Sequence, residues 1–364
     1  MTDFNLDIKK ELVRAEGAGF QLQDQHNAVN MGTDIRPELL TALMGGANQV
    51  NKVYGQTHVF QYDETKYTPQ LVSGKRFDER GKDIAKDKAV TRYYEIGSKG
   101  IRLNVSPEDY DGRRKAGTNE MLTEADVLAD QIMKAQEAFV LETELEYGQL
   151  LTDGTNRTAG GPAASYDFHQ DILGSARAAA VTIDFASTTA DPHEVVRKQK
   201  NLLANKLAKY GLRAAGFMVI AGENFMDAAY EAEKLESLGR PLKSTLDLAS
   251  QAVPTIDSNG YRFDNFLSEL SGVEYVRYGS NIIAGEKIIG DNDAYMIPLI
   301  VGEGMVKEVY APAKVRGIVN TQAMEMYSWF YTDDFAGVTG FYEQNKLTAL
   351  VRPDLIVDLN ITAP

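Results

Sequence analysis

The sequence predicts an α+β fold organised by one long helix, on three observations. Between Thr123 and Gly148, apolar or small residues recur at steps of three and four. Leu128, Ile132, Ala135, Phe139, Thr143 and Tyr147, with Leu150 beyond, draw one stripe along a helix. Before it, residues 53–117 mix β-friendly side chains with dense charge. After it, helical and strand-like patterns alternate to about residue 320, and the chain closes on strand-like runs.

Taken in order, the first fifty residues carry a helix over about 6–15, ended by Gly17 and Gly19. A short one follows at 38–44, with Pro37 in its first turn and Gly45 and Gly46 closing it. Residues 1–52 thus read as an N-terminal arm. In 53–117, Val59, Tyr62, Tyr67, Val90, Tyr93, Tyr94, Ile101, Leu103 and Val105 are scattered among charges, and Lys75 to Lys88 is nearly all charge. So few apolar residues cannot bury a core, which makes this stretch an extended two-stranded excursion needing a surface to lie against.

The long helix opens on Thr123 as N-cap with Asp126 three residues on, and Gly148 stands where it should stop. About 25 residues at ~1.5 Å each give a rod of ~38 Å. A helix over 170–180 is expected inside the small-residue stretch that follows. Asp191, Pro192, His193 and Glu194 form a strong helix start, stopped at Gly211. Gly216 to Ala221 (GFMVIA) reads as a buried strand and Glu223 to Leu238 as a helix. Short strands fill 260–298, and two closing runs in 341–361 break at Arg352 and Pro353.

Composition removes several kinds of chemistry. Cysteine is absent, so disulfides, thiolate nucleophiles and thiolate metal sites are excluded. The net charge of −14 argues against a surface that grips nucleic acid throughout. His26, His58, His169 and His193 stand far apart without metal-ligand spacing and read as surface or turn residues. Gly302, Glu303 and Gly304 begin a dinucleotide fingerprint, but Lys307 takes the place of its third glycine. Asp291, Asn292 and Asp293 hint at a calcium loop, which Tyr295 breaks. No catalytic, cofactor-binding or metal-binding residue is assigned.

One charge pattern remains. Lys75, Arg76, Arg80, Lys82, Lys86, Lys88 and Arg92 load the excursion with positive charge. The helix after it carries Glu124, Asp130, Glu137, Glu142, Glu144 and Glu146 against a single base, Lys134, and reads as a solvated acidic face. The two surfaces are complementary. They fit a local pairing within one chain or a pairing between copies, in which weak exposed ion pairs repeated over an array fix orientation.

Several segments resemble the major capsid protein E family, the lambda-type group of tailed-bacteriophage heads. They are Thr182 to Pro192 (TIDFASTTADP) and Gly216 to Gly222 (GFMVIAG), then Asn281 to Ala313 with its GEKIIG, MIP and VYAP runs. Ile318 to Thr321, Met326 to Tyr331 and Leu350 to Val357 (LVRPDLIV) complete the set. The resemblance implies a Hong Kong 97-like capsid fold. Its parts would be the arm at 1–52, an extended loop at 53–117, a peripheral domain with the spine helix at 118–186, an axial α/β domain at 187–320 and return strands at 321–364.

It also implies a structural major capsid protein without catalytic residues or cofactors. Such a protein forms hexamers and pentamers of an icosahedral shell around double-stranded DNA, assembled in the host cytoplasm with portal, scaffold and a decoration protein. The packaged DNA would be touched at most weakly, and no membrane would be involved. An encapsulin-like compartment shell has the same implied fold, and, in another class, a cytoplasmic acidic α/β enzyme fits the same composition.

Overall fold

The computed structural model describes residues 50–66, 88–115, 120–157, 166–186, 192–231, 255–256, 262–264, 272–278, 282–283, 286–300, 305–314, 318, 320–333 and 337–361. Outside these lie the expected helices at 6–15 and 38–44, the excursion bases Lys75 to Lys86, His26, Asp191, the run 302–304 and the end of the helix expected to reach Leu238.

Strands β1 (Val50–Tyr54), β2 (Val59–Lys66), β3 (Lys88–Glu95) and β4 (Ser98–Val105) lead to a single turn of helix, α1 (Pro107–Tyr110), and to the long helix α2 (Glu124–Thr152). β5 (Val181–Ile183), α3 (Pro192–Lys209), β6 (Ala214–Ala221) and α4 (Glu223–Glu231) follow. Then come β7 (Thr255–Ile256), β8 (Arg262–Asp264), β9 (Glu274–Arg277), β10 (Ile282–Ile283), β11 (Glu286–Lys287), β12 (Asp293–Ile300) and β13 (Val306–Tyr310). The chain closes with β14 (Tyr327–Asp333), β15 (Gly337–Leu350) and β16 (Val357–Ile361).

Two sheets organise these elements. A seven-stranded sheet runs β5-β16-β12-β6-β9-β8-β7. A five-stranded sheet runs β1-β13-β15-β14, with β4 also paired to β15. Within the second, β15 changes partner along its length: Val338 to Asn345 lie opposite β4, and Lys346 to Leu350 opposite β13. Sheet membership departs from the expected segments. β4, from the excursion, is a body strand with Leu103 and Val105 buried, and Tyr94 and Ile96 beside it join the main core. The apolar residues there were too few to predict a core of their own, yet their alternation suffices to face one supplied by β15. β13 sits with β14 and β15 rather than in the seven-stranded sheet, while β16 leaves β14 and β15 for the sheet of β6 and β12.

The long helix starts as the sequence predicts. The Thr123 hydroxyl accepts from the Asp126 amide, and the Asp126 carboxylate accepts from the Thr123 amide at 2.9 Å. Its end differs. Gly148 is buried inside the helix, which runs on to Thr152 and stops where Gly154 turns to φ +71°. A glycine in a packed helix face permits close approach of neighbours, so it need not mark a terminus. The last carbonyls find a donor in Arg177, whose guanidinium reaches Leu151 O at 2.7 Å, Thr152 O, and the Asp358 carboxylate of β16. Arg177 lies outside any helix, because only a short π-type turn, His169–Leu173, forms where a helix over 170–180 was expected.

Two histidines are core residues rather than surface ones: His193 is 1% exposed beside Phe185, and His169 is 3% exposed. His169 fills the space a side chain at Gly154 would need, since a Cβ there would stand 2.3 Å from its Cδ2. Gly154→Ala therefore meets both a left-handed backbone and an occupied site. It is expected to cost about 1–3 kcal/mol, read as a lower denaturant midpoint at unchanged slope.

Candidate functional site

The long helix rests on two separate apolar clusters. Ala135 and Phe139 pack with Leu103 of β4 and Tyr342 of β15 in a small one. Leu145, Tyr147, Leu150 and Leu151 join the main core. Between them the helix turns polar side chains inward at Glu142, Thr143 and Glu146.

Glu146, 3% exposed, receives Lys346 Nζ of β15 at 2.8 Å, the Lys99 ammonium of β4, and the Thr348 hydroxyl at 2.7 Å. Lys99 Nζ also reaches Glu142 at 2.6 Å, and Glu142 accepts from Arg157 Nε at 3.1 Å. Lys346 Nζ donates to Thr143 Oγ1 at 3.0 Å and stands 3.8 Å from Glu308 of β13. Glu308 in turn accepts from the Tyr147 and Tyr310 hydroxyls, each at 2.9 Å. Three carboxylates (Glu142, Glu146, Glu308) thus face three cations (Lys99, Lys346, Arg157).

Burial alone would push the Glu146 carboxyl up. The Lys346 and Lys99 ammoniums, with their hydrogen bonds, outweigh it and hold the group below its ordinary 4.5. Burial, then the Glu308 charge and hydrogen bond, drives the Tyr147 phenol far upward, so it stays a donor.

The acidic face expected on the helix is therefore divided. Glu144, fully buried, accepts from Tyr278 at 3.0 Å, and with Glu142 and Glu146 it is satisfied inside its own subunit. Glu144 and Glu146 belong to the interior and Glu142 is half-buried at its edge, which corrects the solvated-face reading. Apart from Arg157, 15 residues on from Glu142, their partners lie 43 to 202 residues away in sequence, so the charge count near the helix could not reveal them. The detectable signal was position, because Glu142 and Glu146 fall on the helical face of Phe139 and Leu150. Glu124 stands in the first turn, Asp130 is bonded to Lys134 at 2.6 Å, and Glu137 is exposed.

Of the excursion bases, Lys88 sits in β3 opposite Lys66, and Arg92 donates to Ile172 O at 3.5 Å. Lys75, Arg76, Arg80, Lys82 and Lys86 lie outside the described residues. The base of the hairpin faces the body through Phe60 and Tyr94, with Lys307 over the Tyr62 ring, and turns Val59 and Tyr93 outward at 48% and 66% exposure. Beyond the far side of the five-stranded sheet, Tyr331 and Phe341 form an exposed edge-to-face pair with Arg102 over Phe341. Among the described residues no group of three or more histidines and acids is placed to hold a metal, and no helix is long and apolar enough to cross a membrane. The Asp291 to Asp293 loop instead caps α4, the Asp291 carbonyl accepting from the Phe225 amide at 3.0 Å.

What these residues build is a scaffold, in which distant strands are tied to one helix and apolar and charged surfaces are left outward. The family model of phage major capsid protein E matches residues 46–361, and the chain belongs to that family.

A search of curated proteins finds no match. Among solved structures, the chain is similar to the capsid of cyanophage P-SCSP1u at 8% identity and a TM-score of 0.49, covering 87% of each chain. It is also similar to the mature capsid of bacteriophage PhiM1 at 12% identity and 0.48, over 88% of this chain and 86% of that one. The encapsulin of Synechococcus elongatus PCC 7942 follows at 14% and 0.42, over 94% and 95%. The protein is a major capsid protein of the bacteriophage class, a structural subunit.

Removing the Lys346 ammonium leaves Glu146 and Glu308 buried without it. Lys346→Met is expected to cost about 3–5 kcal/mol, read by chemical denaturation of the soluble subunit, because breaking a buried pair exposes the full desolvation penalty.

Proposed function

We propose that the chain is the repeating subunit of a tailed-phage head, with the Hong Kong 97 architecture, forming hexamers and pentamers of an icosahedral shell that encloses double-stranded DNA. The observation that carries this reading is the family match over residues 46–361. It favours a phage shell over an encapsulin-like compartment and stands against an acidic α/β enzyme, since the family is one of structural capsid proteins.

The parts of the shell subunit would be the arm, extended loop, peripheral and axial regions given by the resemblance. Their boundaries shift so that β4 and β13 count with the long helix and β16 with the axial sheet. Assembly in the host cytoplasm with portal, scaffold and decoration protein, and only weak contact with packaged DNA, follows the same family logic. The acidic balance of −14 suits a container that does not bind its contents tightly.

In this reading the basic excursion from Lys75 to Lys88 lies on a neighbouring copy, while Arg92 at its base is bound to Ile172 of its own subunit. The excursion's anionic counterparts narrow to Glu124 and Glu137, with Asp130 shared with Lys134, since Glu142, Glu144 and Glu146 are engaged at home. Reversing Lys82, Lys86 and Lys88 to glutamate is expected to leave the subunit folded by circular dichroism and to abolish particles by sedimentation and negative-stain microscopy. Particles of normal yield from that variant would end the pairing idea while leaving the family assignment standing.

A further inference from the structure

We propose that the Glu146 carboxylate is an acid-labile latch that holds the first half of the long helix, together with β4, against the rest of the subunit. Three features of the fold converge on it. The helix has no continuous apolar footing, because Ala135 and Phe139 belong to one cluster, Leu145 to Leu151 to another, and charged groups lie between. The strand beneath changes partner at the same level, from β4 at Asn345 to β13 at Lys346. And one carboxylate takes a cation from each side of that change, Lys99 from β4 and Lys346 from β15 where it meets β13.

The groups facing Glu146 set the sign of the effect. From its own helix come Glu142, Tyr147 and the buried Glu144 with Tyr278; from β4, Lys99; from β15, Lys346; from β13, Glu308 with Tyr310; from the segment after the helix, Arg157. Glu325, bound to Lys52 of β1, lies farther out.

Protonating Glu146 removes the anion shared by the buried Lys346 and the part-buried Lys99 ammoniums. The carboxyl sits below its ordinary value in the fold, so it stabilises above about pH 4.5, and that contribution fades as pH falls through the lower folded value. The main core keeps its apolar contacts throughout, so the opening is local. Asp126 at the helix start and His169 beyond its end also titrate, which makes the middle of the helix the place to look.

The test is amide hydrogen exchange on the full chain at about pH 6 and about pH 4, corrected for intrinsic rates, for wild type, Glu146→Gln, Lys99→Met and the exposed control Glu137→Gln. Acidification of wild type and of the control is expected to lower protection of β4 and of helix residues 132–142 by up to about fourfold, the most that one carboxyl of ordinary value 4.5 in the opened state supplies at pH 4, with β6 and β12 unchanged. Glu146→Gln should show low protection in those segments already at pH 6 and no further step, and Lys99→Met low protection at pH 6 with a smaller step than wild type, since Lys346 still holds the carboxyl down. Equal loss in every strand, or a wild-type pH step retained in Glu146→Gln, overturns the latch. Should Glu146→Gln not fold, the Lys99→Met profile decides alone.

Discussion

The subunit depends on a charged cluster placed where a core would normally be continuous. Glu146, Lys346, Lys99 and Glu308 occupy the gap between two apolar clusters beneath the long helix, and each comes from a different element or a different part of the chain. Buried ion pairs add little net stability, because desolvation offsets most of the attraction. Their effect is positional. A lysine at 346 and a lysine at 99 can be satisfied together only if β4, β15 and the helix stand in one register. The apolar residues alone, Phe139 against Leu103 and Tyr342, would tolerate a sliding helix.

That specificity suits a protein that has to present the same surfaces in many copies. Arg177 does comparable service at the other end of the helix, where one guanidinium closes the last helical turn and binds Asp358 of β16, so the rod is fixed to both sheets. Between these anchors Glu137 on the helix, Tyr93 and Val59 on the hairpin, and Tyr331 and Phe341 on the sheet are exposed.

Much of this was legible in the sequence where local chemistry decides the outcome. The Thr123 and Asp126 capping box, the proline-led helix at 192–209, the strand at 214–221 and the break at Arg352 and Pro353 each follow from side chains within a few residues of one another. Reading failed where distant partners decide. Gly148 does not end the helix but lies buried within it, and the left-handed Gly154 marks the end instead. Residues 174–180 do not form a helix, and Arg177 there serves the end of another one. The acids Glu142, Glu144 and Glu146 looked solvated because their partners, Lys99, Lys346 and Tyr278, are remote in the chain. β4 looked like part of an unsupported excursion because the strand that supports it, β15, comes more than two hundred residues later. Family segments such as GFMVIAG bridged the gap, since they carry the arrangement without stating its physics.

A double-mutant cycle on Glu146→Gln and Lys346→Met, measured by denaturant unfolding of the soluble subunit at neutral pH, tests the central claim most directly. If these two groups fix the helix on the sheet, the double variant should be more stable than the sum of the single losses allows, with a coupling of about 2 kcal/mol or more. Additivity of the two losses to within about 0.5 kcal/mol would show that the charges act independently, and the account of the fold would have to be rebuilt on its apolar clusters alone.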